Sequence, residues 1–414
     1  MVVYVINKDG KPLMPTTPAR AKKKLKRGLA KVVRRAPFTI KLLYETTEYT
    51  QPLTHGLDTG SSKIGSAVVD SQGNVIYASE VEVRNDIAGK MAQRSKYRRN
   101  RRSRKTRYRE ARWLYRKNSI KNGRFSPTMA SKINAHLKEI AFVRSILPVT
   151  DLIIETSTFD PHALKNPAVL ENKWLYQKGA NYGYANTKAY VLSRDRHTCQ
   201  HCKGRAKKKK LEVHHIKFKS EQGSDESENL ITLCKPCHEK VHEHKIIIAG
   251  GKAKGNLNHA TQMNSIRIQL LARLGCEETF GFVTKEHRQL MNLPKEHCID
   301  AAVIASRGNN VTFKTDNIIY KRCVADGDYQ QTKGIRSEQA IPTGKIQGYR
   351  KYDKVNYLGS EYFIKGRMSS GYAVLMDIHG KKAELKPIPK FTKMQRASAR
   401  KSWIIQAETI QNIC

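Results

Sequence analysis

The chain has 414 residues with 77 Lys+Arg against 36 Asp+Glu, giving a formal net charge of +41 at pH 7 and a pI near 10.0. Such an excess repels itself unless a polyanion neutralises it, so nucleic acid is the expected partner. The sequence shows no long apolar run, N-terminal apolar segment or C-terminal lipidation signal, so a membrane protein is not expected.

The length allows roughly two to four domains. Four of the eight cysteines form two Cys-x-x-Cys pairs, while Cys276, Cys298, Cys323 and Cys414 are scattered without disulfide-like spacing. That usage suits a reducing, cytoplasmic compartment.

In chain order, Val2 to Ile6 reads as a short strand, followed by Pro12-Leu13-Met14-Pro15, a basic segment from Arg20 to Arg27, and β-like stretches at Ala30 to Val33 and Phe38 to Leu43. Leu53 to Leu57, Ile64 to Val69 and Val75 to Val83 are separated by Gly60-Ser61-Ser62 and Ser71-Gln72-Gly73-Asn74, which predicts consecutive hairpins opening a sheet. The composition then turns to arginine: Arg94, Arg98, Arg99, Arg101, Arg102, Arg104, Arg107 and Arg109, interleaved with Tyr97, Tyr108, Trp113 and Tyr115. A helix charged on nearly every face has repulsive i to i+4 pairs, so this segment calls for phosphates around it.

Met129 to Leu147 has helical spacing and Asp151 to Glu155 reads as a strand. Gly250, Gly251 and Gly255 mark a flexible exit from the Cys/His stretch that follows, and Lys207 to Lys210 is a basic run within it. Helical patterns then cover Met263 to Leu271 and His297 to Ala305. Beyond about Asn310 the pattern is β-rich: Val355 to Leu358, Glu361 to Lys365, Tyr372 to Met376 and Ala383 to Leu385 predict a small twisted barrel.

Cys199-x-x-Cys202 and Cys234-x-x-Cys237 can close a tetrahedral zinc shell with no position left for water, a structural metal. Between and after them lie His214-His215, Asn229, His238 and His242. Adjacent histidines on an extended strand point to opposite sides, whereas His238 and His242 share a helical face. One imidazole of the pair can bind a metal while its neighbour addresses water. These residues resemble the HNH nuclease motif. The resemblance implies that His214 and His238 hold a catalytic divalent ion, His215 is the general base, and Asn229 orients the base. His242 stands where some members have a third ligand.

Asp58 closes the first strand of the meander, Glu155 ends a later strand, and His297-x-x-Asp300 opens a late helix. This order matches an RNase H-like fold of the RuvC type, in which such carboxylates hold two divalent ions about 3.5 to 4 Å apart. Oxygen ligands favour Mg²⁺ or Mn²⁺, and His297 would help position or protonate.

Taken together, the split carboxylate set, the arginine-rich segment, the inserted Cys/His module and the Pro12 to Pro15 signature resemble the IscB family. These are transposon-encoded, RNA-guided nucleases related to the CRISPR type II effectors. The resemblance implies an α/β multidomain protein: an N-terminal domain (1–50), RuvC segments (51–88, 126–180 and 251–312), an arginine-rich bridge helix (89–125), a ββα zinc HNH module (181–250) and a β-barrel-like domain (313–414) reading a target-adjacent motif. It implies a structured guide RNA and a double-stranded DNA target as partners, a monomeric protein within the ribonucleoprotein, Mg²⁺ or Mn²⁺ at both catalytic sites, and cutting of the guide-paired strand by HNH and of the displaced strand by RuvC. His214 stands where many relatives carry Asp, so metal preference is expected to differ. A protein-only endonuclease and a non-catalytic nucleic-acid-binding protein are the rival readings.

Overall fold

The structure, a computed structural model, describes residues 2–103, 123–179, 181–204, 210–221, 223–248, 257–315, 317–325 and 344–409. Arg104, Arg107, Arg109, Tyr108, Trp113, Tyr115, most of the Lys207 to Lys210 run, Gly250, Gly251, Gly255 and Cys414 lie outside the described residues. Two units emerge: residues 1–157 with 265–414, and residues 158–264. Among the described residues no helix is long and apolar enough to cross a membrane.

In the first unit, β1 (Val3–Ile6) and β2 (Pro12–Thr16) precede α1 (Pro18–Lys26), β3 (Ala30–Arg34) and β4 (Thr39–Leu42). They form a four-stranded sheet in the order β2-β1-β4-β3. The Pro12 to Pro15 signature is thus a strand, and the basic segment is a helix. Pro18 starts α1 behind Thr17, whose side chain accepts from the Arg20 amide, satisfying a donor that the first turn cannot.

The meander consists of β5 (Leu53–Asp58), β6 (Lys63–Asp70) and β7 (Asn74–Glu82), followed by α2 (Ile87–Ser103), α3 (Pro127–Arg144) and β8 (Asp151–Thr156). In the second unit come α4 (Pro161–Lys165), α5 (Ala168–Glu171), α6 (Thr187–Arg194), β9 (Leu211–His215), β10 (Leu230–Cys234) and α7 (Lys235–His242). Next in the chain are α8 (Asn258–Arg273), β11 (Glu277–Phe280), α9 (Gly281–Leu290), α10 (His297–Ala305), β12 (Thr312–Phe313) and β13 (Asn317–Cys323). The last strands are β14 (Lys354–Tyr357), β15 (Ser360–Arg367), β16 (Ala373–Met376), β17 (Gln395–Ser398) and β18 (Trp403–Thr409).

The large sheet runs β11-β8-β5-β6-β7-β13-β18, with β12 beside β7. β5, β6 and β7 are antiparallel neighbours, and β8 joins β5 in parallel. Both faces are covered, which is why its strands read as nearly continuous apolar runs. On one face Ala67, Val69, Val75 and Ala78 meet Cys298, Ile299, Ala302 and Val303 of α10. On the other, Leu53, Val68 and Tyr77 meet Phe142 and Val143 of α3, with Trp403. Alternation along β6 sends Val68 to one core and its neighbours to the other. Beneath α3 the fully buried Glu139 accepts from Tyr77, Ser79 and Lys321 at 2.6–2.9 Å.

Of residues 313–414, β13 and β18 are strands of the large sheet. The remainder corrects the expected barrel: β16-β15-β14-β17 is an open four-stranded sheet whose two outer strands are not paired to each other. Ala383 to Leu385 is not a strand but packs its apolar side chains against Val355, Leu375 and Phe391. Without a closing strand, that core is shielded by loop instead.

Candidate nuclease sites

In the second unit, β9 and β10 pair antiparallel with His215 opposite Leu230 and His214 opposite Ile231, and α7 follows directly. This is a ββα unit. Its apolar core is small, built on Leu233 and Val241 together with Cys199, Cys234 and Cys237. The thiol sulfurs of Cys199, Cys202, Cys234 and Cys237 all fall within 4.8 Å of one another, with Cys202 and Cys234 at 3.9 Å. Four such thiols fit a tetrahedral zinc, and so small a core needs that staple.

The strand sends His214 inward and His215 outward. His214 is buried, and its Nε2 has no hydrogen-bond partner. Burial, and then the neighbouring His238 and His242, push its pKa down to about 4, so the ring is a neutral donor. His238 and His242, one helical turn apart, bring their Nε2 atoms to 3.2 Å, and ligand nitrogens of all three rings lie within 4.8 Å. Ring nitrogens converging with their lone pairs fit a divalent ion. His242 therefore belongs to the set that sequence spacing left unassigned.

The His238 Nδ1 lies 2.7 Å from Glu212 Oε2, so the carboxylate accepts from Nδ1–H and leaves Nε2 for a ligand. Outside the cluster, His215 Nε2 meets Asp225 Oδ1 at 2.8 Å. Lys219 and then His215 hold the Asp225 carboxyl below its usual range.

The hydrogen bonds of Asn229 run to the neighbouring backbone and not to the His215 ring. Its side chain accepts from the Lys217 amide and donates to the Lys217 and Ser224 carbonyls at 2.8–3.0 Å, while its carbonyl accepts from the Ile216 amide. It shapes the loop that carries Asp225. A Cβ on Gly223 would lie 1.9 Å from the Lys217 carbonyl and 2.9 Å from Asn229 Nδ2, so the turn needs glycine. Glu212 could have been found in the sequence, since it shares a strand face with His214 two residues away. Asp225 and its loop offer no such periodicity.

In the first unit, Asp58 and Glu155 are register partners on parallel neighbours β5 and β8. α10 brings His297 and Asp300 over them because two glycines let it descend: a Cβ on Gly56 would lie 2.1 Å from the Ala301 carbonyl, and one on Gly65 1.8 Å from that of His297. His297 Nδ1 lies 2.6 Å from Asp58 Oδ2. Burial raises the Asp58 pKa against that bond, and the bond raises that of His297. Burial, then the Asp58 charge, lifts Glu155 to about 7; the same two causes raise Asp300.

Arg288 Nε approaches Asp300 Oδ1 to 2.8 Å, yet neither atom finds hydrogen-bond alignment, so the contact is an ion pair only. The three carboxylates do not close into one cluster of the 4.8 Å kind, whereas Glu80, Glu296 and Cys298 nearby do. A cavity of about 410 Å³ is lined by His297 and Asp300 with Lys63, Glu80 and Lys295. On α2, Arg94, Arg98, Arg99, Arg101 and Arg102 follow one another, and Tyr97 is buried.

Residues 3–179 match the family described as RRXRR protein, and Arg98-Arg99-Asn100-Arg101-Arg102 spells that motif. Residues 199–244 match HNH endonuclease. No curated protein matches the sequence. Among solved structures, Cas9 of Streptococcus thermophilus in complex with the AGAA PAM is similar at 12% identity and a TM-score of 0.33, over 58% of this chain and 32% of that one. The chain thus spans about a third of that protein's length. The chain is thus similar to RRXRR proteins over residues 3–179 and to HNH endonucleases over residues 199–244.

Proposed function

We propose that the protein is a DNA endonuclease guided by a structured RNA, with the HNH cluster cutting the guide-paired strand and a RuvC-like site cutting the displaced one. The observation that carries this reading is the division within His214-His215: one imidazole turned in toward His238 and His242, the other out toward Asp225. With Asp225 accepting from Nε2–H, His215 keeps Nδ1 free to take a proton from water, an action worth about 10²- to 10⁴-fold. An ion held by His214, His238 and His242 would supply charge stabilisation at the phosphate and leaving oxygen. An all-imidazole set suits a transition-metal ion better than Mg²⁺, which prefers oxygen.

Mg²⁺ or Mn²⁺ fits the other site. Asp58 and Glu155 stand where β5 and β8 end and Asp300 on α10 above them; burial raises the pKa of all three and the Asp58 charge adds to it at Glu155 and Asp300, so a divalent cation would restore their ionised form. A meander opened by Asp58, with Glu155 on the parallel neighbour, supports an RNase H-like domain of RuvC type split by the HNH insertion. His297 positions Asp58 through its Nδ1–H. The RRXRR match and the net charge of +41 support a guide RNA held by the arginines of α2. The open C-terminal sheet would read the target-adjacent motif. The protein would act as a monomer in a cytoplasmic ribonucleoprotein.

Strand-labelled DNA tests this with the ribonucleoprotein as purified. His215→Ala is expected to leave cutting of the displaced strand alone, Asp58→Ala that of the guide-paired strand alone, and RNase treatment to abolish both. Equal cutting of both strands by either variant, or full activity after RNase, overturns the reading.

A further inference from the structure

From the end of α5 into α6, the residues from Lys173 to Tyr190 hold Trp174, Tyr176, Tyr182, Tyr184 and Tyr190, three lysines and no carboxylate. The rings are not buried. Trp174 is 55% exposed, Tyr182 62% and Tyr184 44%. Lys178 Nζ sits 3.6 Å from the Trp174 ring centroid and 4.7 Å from that of Tyr182.

The segment is built rather than loose. Asn172 caps the short turn by accepting from the Trp174 amide at 3.2 Å, the Tyr182 amide donates to the Gly179 carbonyl at 2.9 Å, and Asn181 Nδ2 donates to Thr187 Oγ1 at 2.8 Å. Gly183, at φ 84°, turns the chain between Tyr182 and Tyr184 where a side chain would be strained. Large aromatic faces held open to water by a hydrogen-bonded frame call for a partner.

We infer that Trp174 and Tyr182, with Lys178 between them, form a stacking platform for unpaired bases of the DNA substrate. Rings give every base a π-face to stack on, and cations track the backbone, which is the chemistry of single-strand binding. Paired bases are already stacked, so a duplex would gain nothing here. The absence of carboxylates across the segment matches a polyanionic occupant. The same unit carries the HNH cluster, so the strand in question is one being cut. This deepens the proposed function and rests on its DNA substrate.

The test is fluorescence anisotropy of the full chain on labelled oligothymidylate of about 12 nucleotides, within the usual single-strand site sizes. Trp174→Ala with Tyr182→Ala is expected to weaken binding by about tenfold to 100-fold, with no change in the slope of affinity against salt, because rings and not charges are lost. Trp174→Phe with Tyr182→Phe should restore most of it, and Lys178→Ala should lower the salt slope by about 0.7. Unchanged affinity in the alanine pair, equal loss in the phenylalanine pair, or a loss on oligouridylate but not on oligothymidylate overturns the platform. Wild-type cleavage of guided DNA, measured in parallel, separates the two readings: its absence sinks the nuclease proposal, whereas its presence beside unchanged binding sinks the platform alone.

Discussion

The two candidate sites are built in opposite ways. The Cys/His site lies within residues 199–244; its nitrogen donors sit on one hairpin and one helix, its sulfur donors on the end of that hairpin, the same helix and the turn that precedes β9, and a small core holds them. The carboxylate site draws Asp58, Glu155 and Asp300 from three separate stretches onto the middle of an eight-stranded sheet, where the core is large and two glycines set the height of the helix above it. A local site would borrow its rigidity from a metal. A dispersed one borrows it from the fold. Each should therefore fail under a different insult.

The largest expected effect falls on the local site. Structural zinc contributes on the order of 10 kcal/mol to small metallo-domains, so Cys199→Ser with Cys202→Ser should lose one zinc equivalent by elemental analysis. It should also unfold residues 158–264 to limited proteolysis and abolish guide-paired strand cutting. The thermal transition of the rest should not move. A zinc-free double variant with both activities intact would erase the contrast.

Acid should strike the other unit. His55 on β5 and His136 on α3 are fully buried, and burial lowers each pKa to about 4. An unfolded histidine takes up its proton near pH 6.5, the folded ones only near 4. The unfolded chain thus binds more protons between those values, and stability falls as pH falls through them. The loss is about 3 kcal/mol for each imidazole, measurable by denaturant titration at pH 7 and pH 4.5. His55→Gln with His136→Gln should flatten that dependence.

The glycine seat offers a finer lesion. A Cβ on Gly65 meets the His297 carbonyl at 1.8 Å, so Gly65→Ala must lift the start of α10 and cost about 3 kcal/mol, the upper range for overpacking. A shift of about 1 Å at His297 and Asp300 is enough to cut displaced-strand cleavage about 100-fold. Guide-paired strand cutting should be unchanged.

The same contrast explains what could be read from the sequence. The Cys-x-x-Cys pairs, His214-His215 and the i to i+4 pair His238 and His242 declare themselves because their chemistry is local. The meander was equally plain from its apolar runs and Gly/Ser/Asn turns. Asp58, Glu155 and Asp300 stood at the ends of recognisable elements, but their convergence depends on Gly56 and Gly65, whose role appears only when α10 is seen lying on them. Arg288, facing Asp300 from α9, carried no signal at all. The barrel expectation failed because β-like spacing reports which residues face a core, not whether the outer strands meet. Arg94 to Arg102 could be placed on a helix from composition, since nothing else interrupts that run.

The smallest effect sharpens the metal side. Glu212 accepts from His238 Nδ1 at 2.7 Å and thereby fixes which nitrogen faces His242 and His214. Removing such an outer partner typically costs about 10- to 100-fold in metal affinity. Glu212→Ala should show that loss for Co²⁺ or Ni²⁺ by calorimetry, with the four-cysteine zinc content unchanged. Glu212→Gln should lose less, because its amide oxygen still accepts the same hydrogen bond. Unaltered affinity in Glu212→Ala would mean that the backbone of α7 alone aims His238. The imidazole set would then be held by the fold, as the carboxylates are.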